Sequence, residues 1–277
     1  MSNNTLRKII SFILSFIIMV CMVVGIISAW LIFEVLNYDA LKVKVGDEFY
    51  PLLHKEVCNS VLLQTVSTGI PDDIMLEPIT QETVDYWTRY QMEAIMDGRK
   101  YDIDLTEIRD SYIVTFTDYA AETGSSMDEK GAKELANYCV SIIKNSIELP
   151  FGNLISSYIS IAEHYLPYAV IVCVAAVIFL AVFLQRISKP RITMTKYFGI
   201  SFCSVGIIGL VLAVVSLATG FYNEINIMSD AYKSAIIGYG DYILRSLLML
   251  SAVVFLIGAV SLVVYSVYGG GEKEEIV

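Results

Sequence analysis

Residues 9–33 of the chain read IISFILSFIIMVCMVVGIISAWLIF and contain no charged side chain. An α-helix of about 20 apolar residues is long enough to cross the ~30 Å hydrocarbon core of a membrane. The stretch is also longer than the ~7–15 apolar residues of a secretory signal peptide, and no small-residue cleavage site follows it. It therefore predicts an uncleaved transmembrane helix, which we place at residues 9–36.

Three later stretches have the same apolar character and predict transmembrane helices at residues 165–185, 197–222 and 241–268. The composition agrees with this prediction. Hydrophobic residues make up 56% of the chain, more than the ~45–50% of soluble domains, and charged residues make up only 17%, less than the usual ~25%. The sequence therefore argues against a soluble enzyme and predicts an all-α integral membrane protein with four transmembrane helices.

The segments between the predicted helices differ in charge. Residues 186–196 contain four basic and no acidic side chains, whereas residues 223–240 contain Glu224, Asp230 and Lys233. Loops rich in Lys and Arg remain in the cytoplasm. We therefore predict that residues 186–196 are cytoplasmic, and that residues 223–240 lie outside. Both termini, residues 1–8 and 269–277, are then cytoplasmic, and the residue usage favours a bacterial plasma membrane.

Residues 37–164 separate the first two predicted helices and are predicted to form an extracytoplasmic domain. Between residues 38 and 163 there are 22 acidic and 10 basic side chains, a net charge of −12, whereas the rest of the chain sums to +2. The net charge of −10 therefore belongs to this inserted domain. With 19 basic against 29 acidic side chains, the chain offers no basic surface for nucleic acid.

Helix-start signals dominate the predicted domain. Thr80 precedes an apolar run of helical spacing, and Gly98 follows its last turn, as expected of a helix between an N-cap and a C-terminal glycine. Residues 104–107 and 126–129 both have the spacing of a capping box. An earlier helix is predicted near residues 51–66. The domain is therefore predicted to be all-helical.

Cys58 and Cys139 are the only two cysteines of the predicted domain. A compartment outside the cytoplasm permits disulfide formation, so the two form a candidate disulfide. The alternative is two free, buried thiols on different helices. His54 and His164 are interpreted as isolated histidines, and the sequence predicts neither a metal site nor a cofactor.

Small residues recur at spacings of three and four along the third predicted span. They are Gly199, Gly206, Gly209, Ala213, Ser216 and Gly220. Small side chains at this spacing allow two helix backbones to approach closely in lipid. Ala252, Ala259 and Ser266 of the fourth span are a candidate partner face. A second copy of the chain is the alternative partner for this seam.

Asp241 and Arg245 stand four residues apart at the outer end of the fourth span, where one helix face brings the two side chains together. Arg245 can extend its charge to the interface while its stem stays in the apolar region. The pair is therefore predicted to anchor the helix at the membrane surface.

The sequence contains no G-x-S-x-G, no phosphate-binding glycine loop and no C-x-x-C. We therefore expect a non-enzymatic protein in a lipid bilayer, whose acidic domain binds a partner or ligand. Self-association through the domain or the third helix is also open. The alternative is a subunit of an oligomeric transporter or channel. An enzyme that acts on lipid or cell-wall material near residues 151–168 ranks third.

Overall fold

The computed structural model describes residues 3–124, 127–149, 151–187, 192–224 and 229–269. Of these residues 89% are helical, and none of them forms a strand. Four of its helices are long and apolar enough to cross a membrane. The predicted all-α class with four candidate spans is confirmed at this level.

Nine α-helices follow one another in the described residues. They are α1 (Asn3–Trp30), α2 (Tyr38–Thr65), α3 (Asp72–Leu76), α4 (Gln81–Met96), α5 (Thr106–Thr123), α6 (Glu129–Ile147), α7 (Gly152–Ile187), α8 (Thr193–Thr219) and α9 (Asp230–Gly269). A π-helical turn, Leu31–Val35, continues α1.

The chain divides into two compact units. The bundle unit contains Met1–Asn37, Ala162–Tyr222 and Gly240–Val277. The domain unit contains Tyr38–Ile161 and Asn223–Tyr239. The sequence does not predict that the second segment belongs to the domain unit. Residues 223–240 have neither the long apolar run of the bundle unit nor the strong acidity of residues 38–163.

Two helices begin earlier than the apolar pattern predicts. α7 starts at Gly152 instead of residue 165, and α9 starts at Asp230 within the predicted loop 223–240. Pro167 lies inside α7, although Pro is usually found in a first turn because it has no N–H to donate. Both helices therefore extend beyond the residues that hydropathy selects.

The core of the bundle unit is apolar and comes from all four of its helices. Its buried members are Leu14, Ile18, Met22, Leu184, Val205 and Val254. One polar contact crosses this region: the Ser15 and Ser201 hydroxyls lie 3.0 Å apart, and both also donate to backbone carbonyls. Hydroxyl contacts of this kind join helices in lipid without burying a charge.

Glycines bring α8 and α9 into backbone contact within the same chain. A Cβ atom placed on Gly206 would lie 2.6 Å from the backbone nitrogen of Phe255, and one placed on Gly199 would lie 2.8 Å from the Leu262 side chain. Ala213, farther along the seam, is fully buried. The small residues of α8 therefore have an intrachain neighbour.

The partner face on α9 differs from the predicted one. Ser251, Phe255, Gly258 and Leu262 contact α8, whereas Ser266 is exposed. Of the predicted seam, Ser216 is half-buried, and Gly220 ends α8 in the left-handed conformation at φ 57°. The observed face includes Gly258, where the α9 backbone comes closest to Cys203 of α8. The position of Gly258 therefore determines which face of α9 turns toward α8.

The domain unit buries one face of each of its longer helices. Leu53, Val57 and Val61 of α2 are completely buried, as are Tyr112 and Phe116 of α5. The Tyr112 hydroxyl donates to the Met75 carbonyl at 2.8 Å, and burial raises the pKa of this phenol. The unit therefore has an ordinary hydrophobic core of its own.

Helix caps in the domain unit agree in part with the predicted ones. The Thr80 hydroxyl accepts the Thr83 N–H at 3.2 Å and caps α4, as predicted. α6 is capped by Asp128, which accepts the Gly131 N–H at 2.8 Å, and the predicted Ser126 lies outside the described residues. Asp104 accepts the Thr106 N–H at 3.0 Å but precedes the N-cap position, so the predicted reciprocal box is not formed.

Contacts to Glu56 and Gln91 join residues 229–232 to the domain unit. The Glu56 carboxylate accepts the Ser229 hydroxyl at 2.6 Å and the Ala231 N–H at 2.9 Å. Tyr232, which is buried, donates its hydroxyl to the Ile147 carbonyl. Gln91 donates to the same carbonyl at 3.1 Å. These contacts explain why a segment distant in sequence belongs to this unit.

We predict that Gly206→Ala destabilises the bundle unit, because the added methyl group would meet the Phe255 backbone, which cannot rotate away. Overpacking of this kind costs about 1–3 kcal/mol. Thermal unfolding of the purified protein in detergent measures the effect. Gly240→Ala is the matched control, since a Cβ at Gly240 makes only an ordinary 3.5 Å contact with Tyr222. Equal midpoints for the two variants would contradict the close approach.

Candidate functional site

The outer face of α4 carries the candidate site. Val84, Thr88 and Gln91 point into the core of the domain unit and are completely buried. Tyr86 and Tyr90, at intervening positions, are exposed. This is the helical periodicity of an amphipathic surface helix, and the exposed side bears aromatic rings beside its charged residues.

Three aromatic rings form a strip along this face. The Tyr86 and Trp87 ring centroids are 5.1 Å apart, and those of Trp87 and Tyr90 are 5.6 Å apart, both edge to face. Tyr86 is 60% exposed and Tyr90 36%. Edge-to-face packing fixes the rings before anything binds, and pre-ordered Tyr and Trp side chains are typical of protein interfaces. We call Tyr86, Trp87 and Tyr90 the aromatic strip.

An open groove of about 490 Å³ lies beside the strip. It is lined by Gln81, Glu82, Asp85, Tyr86 and Arg89. All five residues belong to α4 and the groove is largely open to solvent, so it suits a side chain of a partner; its lining combines an aromatic wall with three charged side chains.

Asp85 has an unusual environment at this groove. Its Oδ1 atom is buried, and no hydrogen-bond donor reaches it in the described part of the chain. Burial raises the pKa of this carboxyl group, and the electrostatic effects of the neighbouring Arg89 and His54 side chains oppose the rise. A buried carboxylate oxygen without a donor is rare in folded proteins, so Asp85 is the acidic residue of this face whose hydrogen bonding is left incomplete.

Arg89 does not donate a hydrogen bond to Asp85 Oδ1, even though it stands one helical turn away. Its guanidinium lies 4.5 Å from the centre of the Tyr50 ring instead. That position gives a cation–π contact across α4 and α2. Burial also raises the pKa of the Tyr50 phenol, so the ring stays neutral beneath the guanidinium.

His54 has a neighbour that the sequence interpretation overlooked. Cys58 follows it by four residues on α2, and the Cys58 Sγ and His54 Nε2 atoms are 3.6 Å apart. The same Nε2 lies 3.1 Å from the Ile79 carbonyl. Because a carbonyl only accepts, Nε2 must carry the proton and cannot take one from the thiol. Burial also raises the pKa of Cys58, so this pair is not an activated nucleophile.

Cys58 and Cys139 lie on helices that pack against each other, α2 and α6. Both are free thiols in the structure. Burial raises the pKa of Cys139 to about 12. The disulfide between them stays a prediction.

Acidic side chains near residues 97–104 are accounted for by partners within the domain unit. Asp97 pairs with Arg99 at 2.7 Å, and Asp102 pairs with Lys144 at 2.7 Å. Among the described residues, no group of three or more His, Cys, Asp or Glu side chains could hold a metal ion.

In the bundle unit the predicted pair Asp241–Arg245 is present at 2.9 Å. The structure adds Tyr222, whose hydroxyl donates to the second Asp241 carboxylate oxygen at 2.6 Å. Nearby along the same helices, the Tyr242 hydroxyl donates to Glu34 at 2.6 Å. The pair is therefore part of a wider set of polar contacts at this end of the bundle, as an anchoring role requires.

We predict that Cys139 resists alkylation in the native protein, because a thiol with a pKa of about 12 is almost entirely protonated at neutral pH and only the thiolate reacts. Iodoacetamide followed by mass spectrometry measures this, with and without denaturant and without reductant. Alkylation of both Cys58 and Cys139 after denaturation indicates free thiols, whereas protection of both until reductant is added establishes the disulfide. Rapid native alkylation of Cys139 would contradict its burial.

The chain matches no protein-family model, no curated protein and no solved structure.

Proposed function

We propose that the protein is a multi-pass membrane protein whose acidic domain unit lies outside the cytoplasm and binds a basic segment of a partner protein at the outer face of α4. The carrying observation is the Asp85 carboxylate, which lines the groove and has one buried oxygen that receives no donor from the described residues. A Lys or Arg side chain of the partner would pair with this under-satisfied carboxylate from the groove side.

The charge of the domain favours such a partner. Residues 38–163 carry a net charge of −12, and a field of this sign attracts basic proteins and accelerates their encounter. At the groove itself, Glu82 and Asp85 outnumber the single positive charge of Arg89. The net charge of the domain and the net charge at the groove are therefore both negative, and both attract a basic partner.

The aromatic strip supplies the apolar part of the proposed interface. Tyr and Trp contribute large contact areas at low cost in side-chain entropy and are enriched among the residues that dominate binding energy. Their ring faces also accept the stacking of Arg or Lys side chains. The combination of Asp85 with Tyr86, Trp87 and Tyr90 therefore suits a segment that carries both a cation and an apolar neighbour.

The location outside the cytoplasm rests on the basic side chains Arg186, Lys189, Arg191 and Lys196, of which Lys189 and Arg191 lie outside the described residues. The positive-inside rule retains that segment in the cytoplasm. With one span before the domain and three after it, both termini are also cytoplasmic. A bacterial plasma membrane is the host membrane that we propose.

Cysteine accessibility in intact cells tests this orientation. In a background with the five native cysteines replaced by alanine, Glu122→Cys in the domain should react with a membrane-impermeant maleimide, because Glu122 is exposed at the end of α5. Glu274→Cys in the C-terminal tail should react only after the cells are opened. The reverse pattern would refute the proposed orientation.

A photo-crosslinking amino acid tests the binding face. Placed at Tyr86 in intact cells, it should give one discrete protein adduct, whereas the same amino acid at Tyr138, an exposed tyrosine on α6, should not. Asp85→Asn should lower the adduct yield at limiting partner concentration by about tenfold, since loss of one charged hydrogen bond at an interface removes at least ~1.4 kcal/mol.

Asp118→Asn is the matched control, because Asp118 is an exposed carboxylate on α5 and its change alters the net charge equally. Equal losses from the two variants would show that only net charge matters and would refute a site at Asp85. Equal adducts from Tyr86 and Tyr138 would refute the α4 face itself.

A further inference from the structure

A cavity of about 160 Å³ lies in the bundle unit between α1, α8 and α9. Eleven residues line it, and apart from the Trp30 indole and the Ser251 hydroxyl their side chains are aliphatic or absent. The indole N–H is already used, because it donates to the Ser246 hydroxyl at 2.8 Å. An apolar cavity of similar size in a soluble protein stays dry and accepts apolar molecules, so water is a poor occupant of this one.

The cavity has a closed side and an open side. Val205 and Val254 are each only 7% exposed and belong to the buried core. Ile208 and Leu212 of α8 are 40% and 52% exposed and also line the cavity. Since all of these residues lie in helices long and apolar enough to span a membrane, the open side meets hydrocarbon.

An empty cavity at this place would be unfavourable. Atoms that line a void lose dispersion contacts on one side, and no hydrophobic force compensates for the loss within lipid. Fluid acyl chains surround any spanning helix, and they are the apolar molecules present at the highest concentration at the opening. An acyl chain also needs no hydrogen-bond partner, which agrees with the lining.

We propose that this cavity is a lipid site that holds part of the acyl chain of one bilayer lipid. Trp30 closes the cavity at one end, and beyond it along α1 and α9 lie the polar contacts of Glu34 with Tyr242. An acyl chain that enters beside Ile208 therefore runs away from these polar groups and toward Val254. The site is independent of the partner-binding role of the domain unit.

A photoreactive lipid tests the site in the intact chain. The full-length protein is reconstituted into phosphatidylcholine vesicles that contain a small fraction of phosphatidylcholine with a diazirine at mid-chain. After irradiation, mass spectrometry identifies the labelled residues. Label on Val205 and Val254 is expected, since these two side chains are nearly closed to lipid unless a chain enters the cavity. Label confined to outward residues such as Ile171 and Ile178 of α7 would overturn the proposal.

Filling the cavity provides the second arm of the experiment. Val23→Phe places a ring in the cavity and should lower label on Val254 severalfold. Val24→Phe is the matched control, because Val24 is 45% exposed and does not line the cavity. Circular dichroism and gel filtration verify that the variants fold, and Val23→Leu replaces Val23→Phe if the larger residue prevents folding.

When the variants are folded, either of two results would refute the lipid site. One is unchanged label on Val254 in the cavity-filling variant. The other is a crosslink between two chains from a photoreactive amino acid placed at Val254, with no lipid label there, which would identify a second copy as the occupant. Selective loss of lipid label in the Val23 variant, with the Val24 variant unchanged, supports the site.

Discussion

The bundle unit depends on the backbone approach of α8 and α9 at glycine. In lipid, helices gain nothing from hiding apolar surface, so their association requires close van der Waals contact. Gly206 lies against the backbone of Phe255, and Gly258 against that of Cys203. With the two axes this close, flanking side chains interlock. The cavity adjoins the next close approach along α8, that of Gly209 and Ser251, where α1 supplies the third wall beside the α8–α9 contact.

The domain unit follows a different rule, because water supplies the driving force for burial. Its helices are amphipathic, and their apolar faces form a core around Tyr112 and Phe116. Most polar groups inside are satisfied: Gln91 donates to the Ile147 carbonyl and accepts the Leu149 N–H at 2.8 Å. Among the described residues the two exceptions are Asp85 Oδ1 and the Tyr101 hydroxyl, and of these residues only Asp85 lines the groove at α4. Exceptions of this kind are where function is sought.

Sequence reasoning succeeded where the signal is local. The charge-free run at residues 9–33 is enough to predict a spanning helix, and Thr80 caps α4 because its hydroxyl and the Thr83 amide are three residues apart. It failed where partners are distant, as with Glu56 and Ala231, since nothing in either stretch indicates the other. The proximity of His54 and Cys58 was visible at a spacing of four and was overlooked. The predicted face of α9, Ala252, Ala259 and Ser266, left out Gly258, which lies against the Cys203 backbone.

The position of Arg89 strengthens the case for an external partner at Asp85. A buried acceptor without a donor costs about 1–3 kcal/mol, and an Asp–Arg pair four residues apart on a helix would ordinarily remove that cost. Here the guanidinium lies over Tyr50 at 4.5 Å instead. The cation–π contact holds Arg89 against α2, so the carboxylate keeps one oxygen without a donor and the groove remains open. A cation from outside would then pair with the Asp85 carboxylate from the groove side without displacing Arg89. The unpaired Asp85 oxygen raises the free energy of the protein without its partner, and this makes partner binding more favourable.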